Sequence, residues 1–380
     1  MATPLTRRTL AVLLGLSLAA SSPLALAVSD VLETPARKTA LADDNLLTDS
    51  AMAGERIVAV GERGHIIYSD DQGNSWKQGS VPVSTTLTGV YFPTAKHGWA
   101  VGHGAVILHT SDGGKTWEKQ LDGTSAADLV IATLEKQVEK LEQEVADAPD
   151  DKKADLEWAL DGMGFALEDA QADKEVGPWK PLLDVWFADE NTGFALGAYG
   201  FMFRTDDGGK TWVDWSSHVP NPDRFHLNGI TRITGGALVA VGEAGTVFLS
   251  TDSGDSWEKV ESPYTGSFFG VLGTGDVNEL IAFGLRGHVF MSTDLGKTWT
   301  TVPNDSGNTL NGGAATRDGR ITLVGNGGVV LVSGNGGESF RTFFRDDRQG
   351  VMSIQPVSDS ALVLFGESGV YHSDINGKSQ

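Results

Sequence analysis

With 380 residues, a formal net charge of −21 and no cysteine, the chain excludes disulfides, thiolate metal sites, a cysteine nucleophile and a lipid-modified N-terminal cysteine. A surface of this sign repels nucleic acid and anionic lipid and suits basic partners. Hydrophobic residues make up 40% of the chain, enough at this length to build a large core without covalent staples.

The chain opens like a secretory signal. Thr6-Arg7-Arg8-Thr9 is a short positive region, Leu10 to Ala20 is almost wholly apolar, and Ala25-Leu26-Ala27 offers a small-residue cleavage site. The residues around the Arg pair fit a twin-arginine signal poorly, so general secretion is the expected route. Removing residues 1–27 takes away two Arg and no acid, which shifts the net charge from −21 to −23. No later stretch approaches about 18 consecutive apolar residues, so residues 28–380 are expected to form an exported, periplasmic product without a membrane span.

From there the sequence keeps returning to one pattern: a hydroxyl residue, then Asp, then Gly, then a hydroxyl before Trp. Residues 205–212 read Thr-Asp-Asp-Gly-Gly-Lys-Thr-Trp, and residues 69–76, 110–117, 250–257 and 292–299 repeat the pattern. Two worn copies follow, with Asn335 and Phe340 at the Asp and Trp places of one, and Ile375 and Gln380 at those of the other. Trp76 and Trp117 are 41 residues apart, and from Trp212 the steps to Trp257, Trp299, Phe340 and Gln380 are 45, 42, 41 and 40. A period in that range means stacked four-strand units. Asp before Gly suits a tight turn in which the carboxylate accepts backbone N–H bonds, and the Trp then buries its ring beside the neighbouring unit. No copy has the D-x-D-x-D-G series of a calcium loop, and no metal or other cofactor is expected.

These repeats resemble the Asp-box, or BNR, repeats of sialidases and of the photosystem II stability and assembly factors. The full unit, best seen from Gly89 to Trp117 as G-V-x-F…G-W-A-V-G-x-x-G…I-L-x-T-S-D-G-G-K-T-W, is most similar to the latter. The resemblance implies an all-β, seven-bladed β-propeller. It further implies a non-enzymatic scaffold that helps a membrane protein complex assemble or stay stable, its client photosystem-like or a transporter, acting as a monomer in a periplasm or a thylakoid-type lumen. The last unit ends before an outer strand can form, and residues 30–36 precede the first inner strand at the right distance to supply one. The ring is therefore expected to close by pairing the two ends of the mature chain.

One segment departs from the repeat. Trp117 and Trp212 are 95 residues apart, and the excess lies in residues 124–179. Ile131, Leu134, Val138, Leu141 and Val145 step by 3 and 4, as do Leu156, Leu160, Met163, Leu167 and Ala170 after Ala148-Pro149-Asp150. This predicts an antiparallel helical hairpin inserted after the second blade. It holds five Lys and fifteen acids, a charge of −10. Trp158, Phe165 and Trp179 exceed what its seam requires, making them candidates for gripping a partner.

A second candidate surface is the ring of G-x-x-G turns between second and third strands. These turns vary where the repeat is otherwise fixed, and Arg63, His103, Tyr199 and Arg286 are the partner-binding candidates there. Catalysis finds no set of residues. The R-I-P motif of sialidases is absent, Arg232-Ile233-Thr234 being the nearest string, and none of the five tyrosines has a matching Glu motif. A carbohydrate-active propeller remains the alternative, since Asp184, Asp189 and Glu190 are carboxylates whose separation spacing alone cannot give. The eight histidines include no H-x-x-x-H or H-E-x-x-H pair.

Overall fold

A computed structural model describes residues 30–177, 180–316 and 318–378. The signal segment at 1–27, Trp179 and Gln380 lie outside the described residues. Among those described, the strands form seven separate antiparallel sheets, six of four strands and one of three. In blade 1, Leu47–Ala53, Arg56–Gly61, Ile66–Ser69 and Lys77–Gln78 pair in chain order, and the later blades follow suit. Second strands such as Gly98–Gly102 and Gly193–Gly197 are buried along their whole length, because sheets cover them on both faces. The core is accordingly seven apolar clusters, each drawn from two successive blades.

The repeated motif is a hydrogen-bonded staple. In the copy at 205–212, the Thr205 hydroxyl donates to Asp207 Oδ1 at 2.9 Å and accepts from the Gly209 N–H at 2.9 Å. Asp207 in turn accepts from the Thr211 N–H at 2.9 Å and the Thr211 hydroxyl at 2.7 Å. The same four contacts recur around Asp71, Asp112, Asp252 and Asp294. They favour the ionised carboxylate, and the hydroxyl of Ser75 above all holds Asp71 down at about 2. The chain then turns into the outer strand, placing Trp212 in the cluster between blades 2 and 3, edge-on to Phe187 at 6.0 Å.

Around the axis each inner strand carries a bulge, and the residues at its second position are Asp49, Gly89, Asp184, Gly229, Gly270, Gly312 and Ser353. Side chains at and before these bulges link blade to blade. Thr48 donates to the Leu87 carbonyl and Thr88 to that of Leu182, both at 2.7 Å, while Asn228 reaches Phe268 at 2.7 Å. Asp49 accepts from the Val90 N–H at 2.9 Å and Asp184 from the Ile230 N–H at 2.8 Å. The surrounding protein desolvates both carboxyls, pushing Asp49 up to about 6 and Asp184, which also feels Asp49, up to about 7.

The expected closure is overturned. Residues 30–36 do not pair with the last blade, whose described strands are Val351–Pro356, Ala361–Gly366 and Gly369–Asp374. Asp30 accepts from the Leu32 N–H at 2.9 Å and so forms a turn, and Pro35 has no N–H to give a ladder. Leu32 and Ala36 instead bury themselves in the cluster between blades 1 and 2, where Ala36 N donates to the Val81 carbonyl at 3.1 Å. Side chains close the ring: Ser50 Oγ and Ser353 Oγ lie 2.8 Å apart, Gln355 Nε2 donates to the Ser50 carbonyl at 2.9 Å, and Trp76 meets Phe365 edge-on at 5.7 Å.

The insertion is the predicted hairpin, α1 (Gly123–Asp147) and α2 (Asp150–Val176). Asp122 caps α1 by accepting from the Ser125 N–H at 3.2 Å. A Gly with φ +121, Gly177, ends α2. The seam residues are half-buried, and full burial is reached only toward the base, at Gly123, Ala126, Leu134 and Ala166.

Candidate functional site

The hairpin rises from the face on which the second-to-third-strand turns lie, and between it and blade 3 runs a cleft of about 440 Å³. Backbone sterics put the turns on this face. In blade 1, Arg63 and Gly64 both adopt left-handed φ, +57 and +72. A side chain at Gly64 would come within 2.2 Å of the Val83 carbonyl in the loop leading to blade 2, so turn and inter-blade loop are neighbours there. The insertion replaces the corresponding loop between blades 2 and 3, which sets its base beside the Tyr199 turn.

One wall of the cleft comes from the arm, with Ala126, Val130 and Leu134 on α1 and Met163 and Ala166 on α2. The other comes from blade 3 and the segment after it, with Tyr199, Phe201, Phe203 and Val219. Charges sit at defined places. Lys180 pairs with Asp173 of α2, and its ammonium lies 4.9 Å from the Tyr199 ring centroid and 5.3 Å from that of Phe201. Lys174 bonds Asp128 at 2.5 Å, tying α2 to α1. Asp214 is buried in the floor and accepts from the Ser216 hydroxyl at 2.6 Å and N–H at 3.0 Å; burial raises its carboxyl above the ordinary range. Exposed Arg224 stands at the lip in a left-handed conformation, held by Asn221, whose side chain brackets Phe225 at 2.9 and 3.1 Å. The result is an apolar trough edged by the Lys180–Asp173 and Lys174–Asp128 ion pairs, with Arg224 at its lip and one buried carboxyl.

The profile of the photosynthesis system II assembly factor YCF48 family matches residues 68–140 and 171–355, well over half of the chain. The chain belongs to that family. The gap in the match, 141–170, falls within the hairpin, so the arm is where this YCF48-family chain departs from the common pattern. A curated relative, the photosystem II assembly lipoprotein Ycf48 of Synechococcus sp. (strain CC9902), is 34% identical over 91 residues, which span 22% of this chain and 27% of that protein. Among solved structures, YCF48 bound to D1 peptide superposes with a TM-score of 0.57 at 18% identity, covering 86% of this chain and 92% of that one. YCF48 from Cyanidioschyzon merolae gives 0.57 at 15% identity, covering 89% and 96%. At such identities the structures share the fold.

The six residues singled out from sequence fall into three groups. Tyr199 lines the cleft. Arg63, His103 and Arg286 are exposed on the equivalent turns of blades 1, 2 and 5 and do not reach it; Arg63 and Arg286 occupy the left-handed position that Tyr199 holds in blade 3, and His103 precedes it. Trp158 and Phe165 project into solvent from another face of α2, outside the cleft, 81% and 68% exposed. The carboxylates raised as glycosidase candidates do not converge: Asp184 lies at the axis, Asp189 caps its own turn through the Asn191 and Thr192 N–H groups, and Glu190 faces His97 at 3.9 Å. Lys180, Asp214 and Arg224 carried no sequence signal, because they come from three segments with no shared spacing. Among the described residues no helix is long and apolar enough to cross a membrane.

Proposed function

We propose that this chain is an exported, non-catalytic assembly or stability factor for a membrane protein complex, and that it holds an extended segment of its client in the cleft between arm and ring. The cleft carries this reading. Its apolar walls suit alternate side chains of an extended chain, Arg224 at the edge suits an acidic group or a terminal carboxylate, and the Asp214 carboxyl suits a backbone N–H. Family membership supports a scaffold role, and the solved YCF48 with its D1 peptide is a relative described as peptide-bound. The sequence leaves two kinds of client, a photosystem-like complex or a transporter.

The test fills the cleft without unfolding the ring. Ala126→Trp on the full chain should keep the circular dichroism of the wild type, lower its stability by about 1–3 kcal/mol because the position is buried, and lose the client that co-purifies from solubilised membranes. Retention of every co-purifying membrane protein by a folded Ala126→Trp variant sinks the cleft reading, and hydrolysis of any glycan in a screen of the purified protein sinks the non-catalytic one.

A further inference from the structure

The two helices of the arm bury their seams alike and differ on their outer sides. On α1 the outward positions are charged or polar, as Glu135, Lys136, Glu139 and Glu142 are. On α2 three large apolar residues stand in the solvent: Trp158, Phe165 and Val176, at 81%, 68% and 77% exposure. Phe165 follows Trp158 by seven residues, about two turns, and Val176 by eighteen, about five turns, so all three lie on one line roughly 27 Å long. Ala154, Gly162 and Ala172 fill the neighbouring positions, and a side chain added at Gly162 would meet nothing within 4 Å. The seam residues Leu160, Met163 and Leu167 lie on the opposite side, so the helix is apolar on two faces.

Charge frames the exposed line. Asp155 and Asp169 flank it on one side, and Asp161 and Glu168 on the other, by helical position. The three lysines of α2, Lys152, Lys153 and Lys174, are all on the seam side, where Lys174 is held by Asp128. We propose that the outer face of α2 is a docking helix for a second protein, one offering an apolar groove rimmed by lysine and arginine side chains. The aromatic line enters the groove as anchors at successive turns and the bracketing acids meet the basic rim. A lipid surface fits poorly, because a helix lying on a membrane places lysine and arginine beside its apolar stripe, and this one places acids. A second copy also fits poorly, since each carries a net charge of −21 and would present acids to acids. This face is turned away from the cleft, so the proposal stands whether or not the cleft holds a client.

The test uses the full chain and a defined probe, a fluorescent amphipathic helix of leucine and lysine in heptad order, with its leucine and glutamate counterpart as control. The lysine peptide should bind, shift Trp158 emission to the blue and weaken as salt is raised to about 150 mM. The double variant Trp158→Ala/Phe165→Ala, folded by circular dichroism, should bind it about tenfold or more weakly, as loss of aromatic anchors does. Equal affinity for the double variant, or no binding by the wild type, overturns the proposal. So does a Phe165-dependent dimer in sedimentation, which assigns the face to a second copy, or a blue shift with neutral or anionic vesicles, which assigns it to lipid. In the cell, a photoreactive benzoylphenylalanine in place of Phe165 should cross-link to a peptide flanked by lysine or arginine in another protein. A map to this chain itself overturns the reading, and the Ala126→Trp variant separates that failure from failure of the cleft.

Discussion

Trp99, Phe187 and Phe203 meet between blades 2 and 3 with almost no surface left to solvent, the first two stacked at 3.6 Å between centroids. On α2, a short way along the same chain, Trp158 and Phe165 face water. The same residue types are spent on cohesion in the ring and left available on the arm. The difference follows from geometry: the second strands of the ring have a neighbouring sheet on each face, whereas a two-helix hairpin has one seam and no second layer. Stability should therefore be read out in the ring and association in the arm, and that division can be broken.

The largest effect is expected at a blade junction. Trp212→Ala should cost roughly 3–5 kcal/mol in chemical denaturation, while Trp158→Ala, the same change on the arm, should stay within about 0.5 kcal/mol. Comparable losses at the two sites would abolish the distinction. A smaller loss is expected at Asp207→Ala, which removes the acceptor of the Thr205 and Thr211 bonds, and Ile375→Ala in the worn copy should be tolerated. Melting curves of the two variants that coincide would mean that the Asp boxes act through something other than these bonds.

Acid and base should sharpen the contrast. Asp49 and Asp184 have folded pKa values raised to about 6 and about 7, so the stability they lend is complete below the ordinary carboxylate value and is lost as pH rises through that range. Asp71 and Asp252, held down at about 2, behave oppositely, and their contribution is lost only as pH falls toward 2. The ring should therefore melt higher near pH 5 than near pH 8, and Asp184→Asn should flatten that slope. An unchanged slope in the variant would remove the axial pair as its cause. The smallest effect is expected from replacing residues 125–177 with a short Gly/Ser linker, which joins two strands that other blades connect directly. The ring should keep a cooperative melt, and loss of that melt would show that the arm is part of the core.

What could be read from sequence was whatever repeats. The period of 40 to 45 residues set by Trp212, Trp257, Trp299, Phe340 and Gln380 implied the successive sheets, and the 3–4 steps from Ile131 to Val145 implied α1. The Asp-box bonds were legible because hydroxyl, Asp and Gly are local to one turn. The fate of residues 30–36 was not, since repeat counting supplies a strand wherever a blade lacks one, while Asp30 and Pro35 favour a turn. The cleft was equally hidden. Lys180, Asp214 and Arg224 become neighbours only because the hairpin sits over blade 3, and that is a tertiary fact.

The ring's closure has a mechanical consequence. Among the described residues the first and last blades share neither a strand nor a connecting loop, so the join consists of Ser353 with Ser50 and Asp49, Gln355 with the Ser50 carbonyl, His372 with the Gly73 carbonyl at 2.9 Å, the Trp76–Phe365 contact and the apolar cluster of Leu47, Ile57, Val363 and Phe365. A load applied through the C-terminal residues bears directly on blade 7, which no connecting loop ties to blade 1 as loops tie the other neighbours, and peels it from blade 1 first. The circle therefore has a built-in weak link at a known place, and under traction it opens there as a latch does, with the arm and the first six blades still standing.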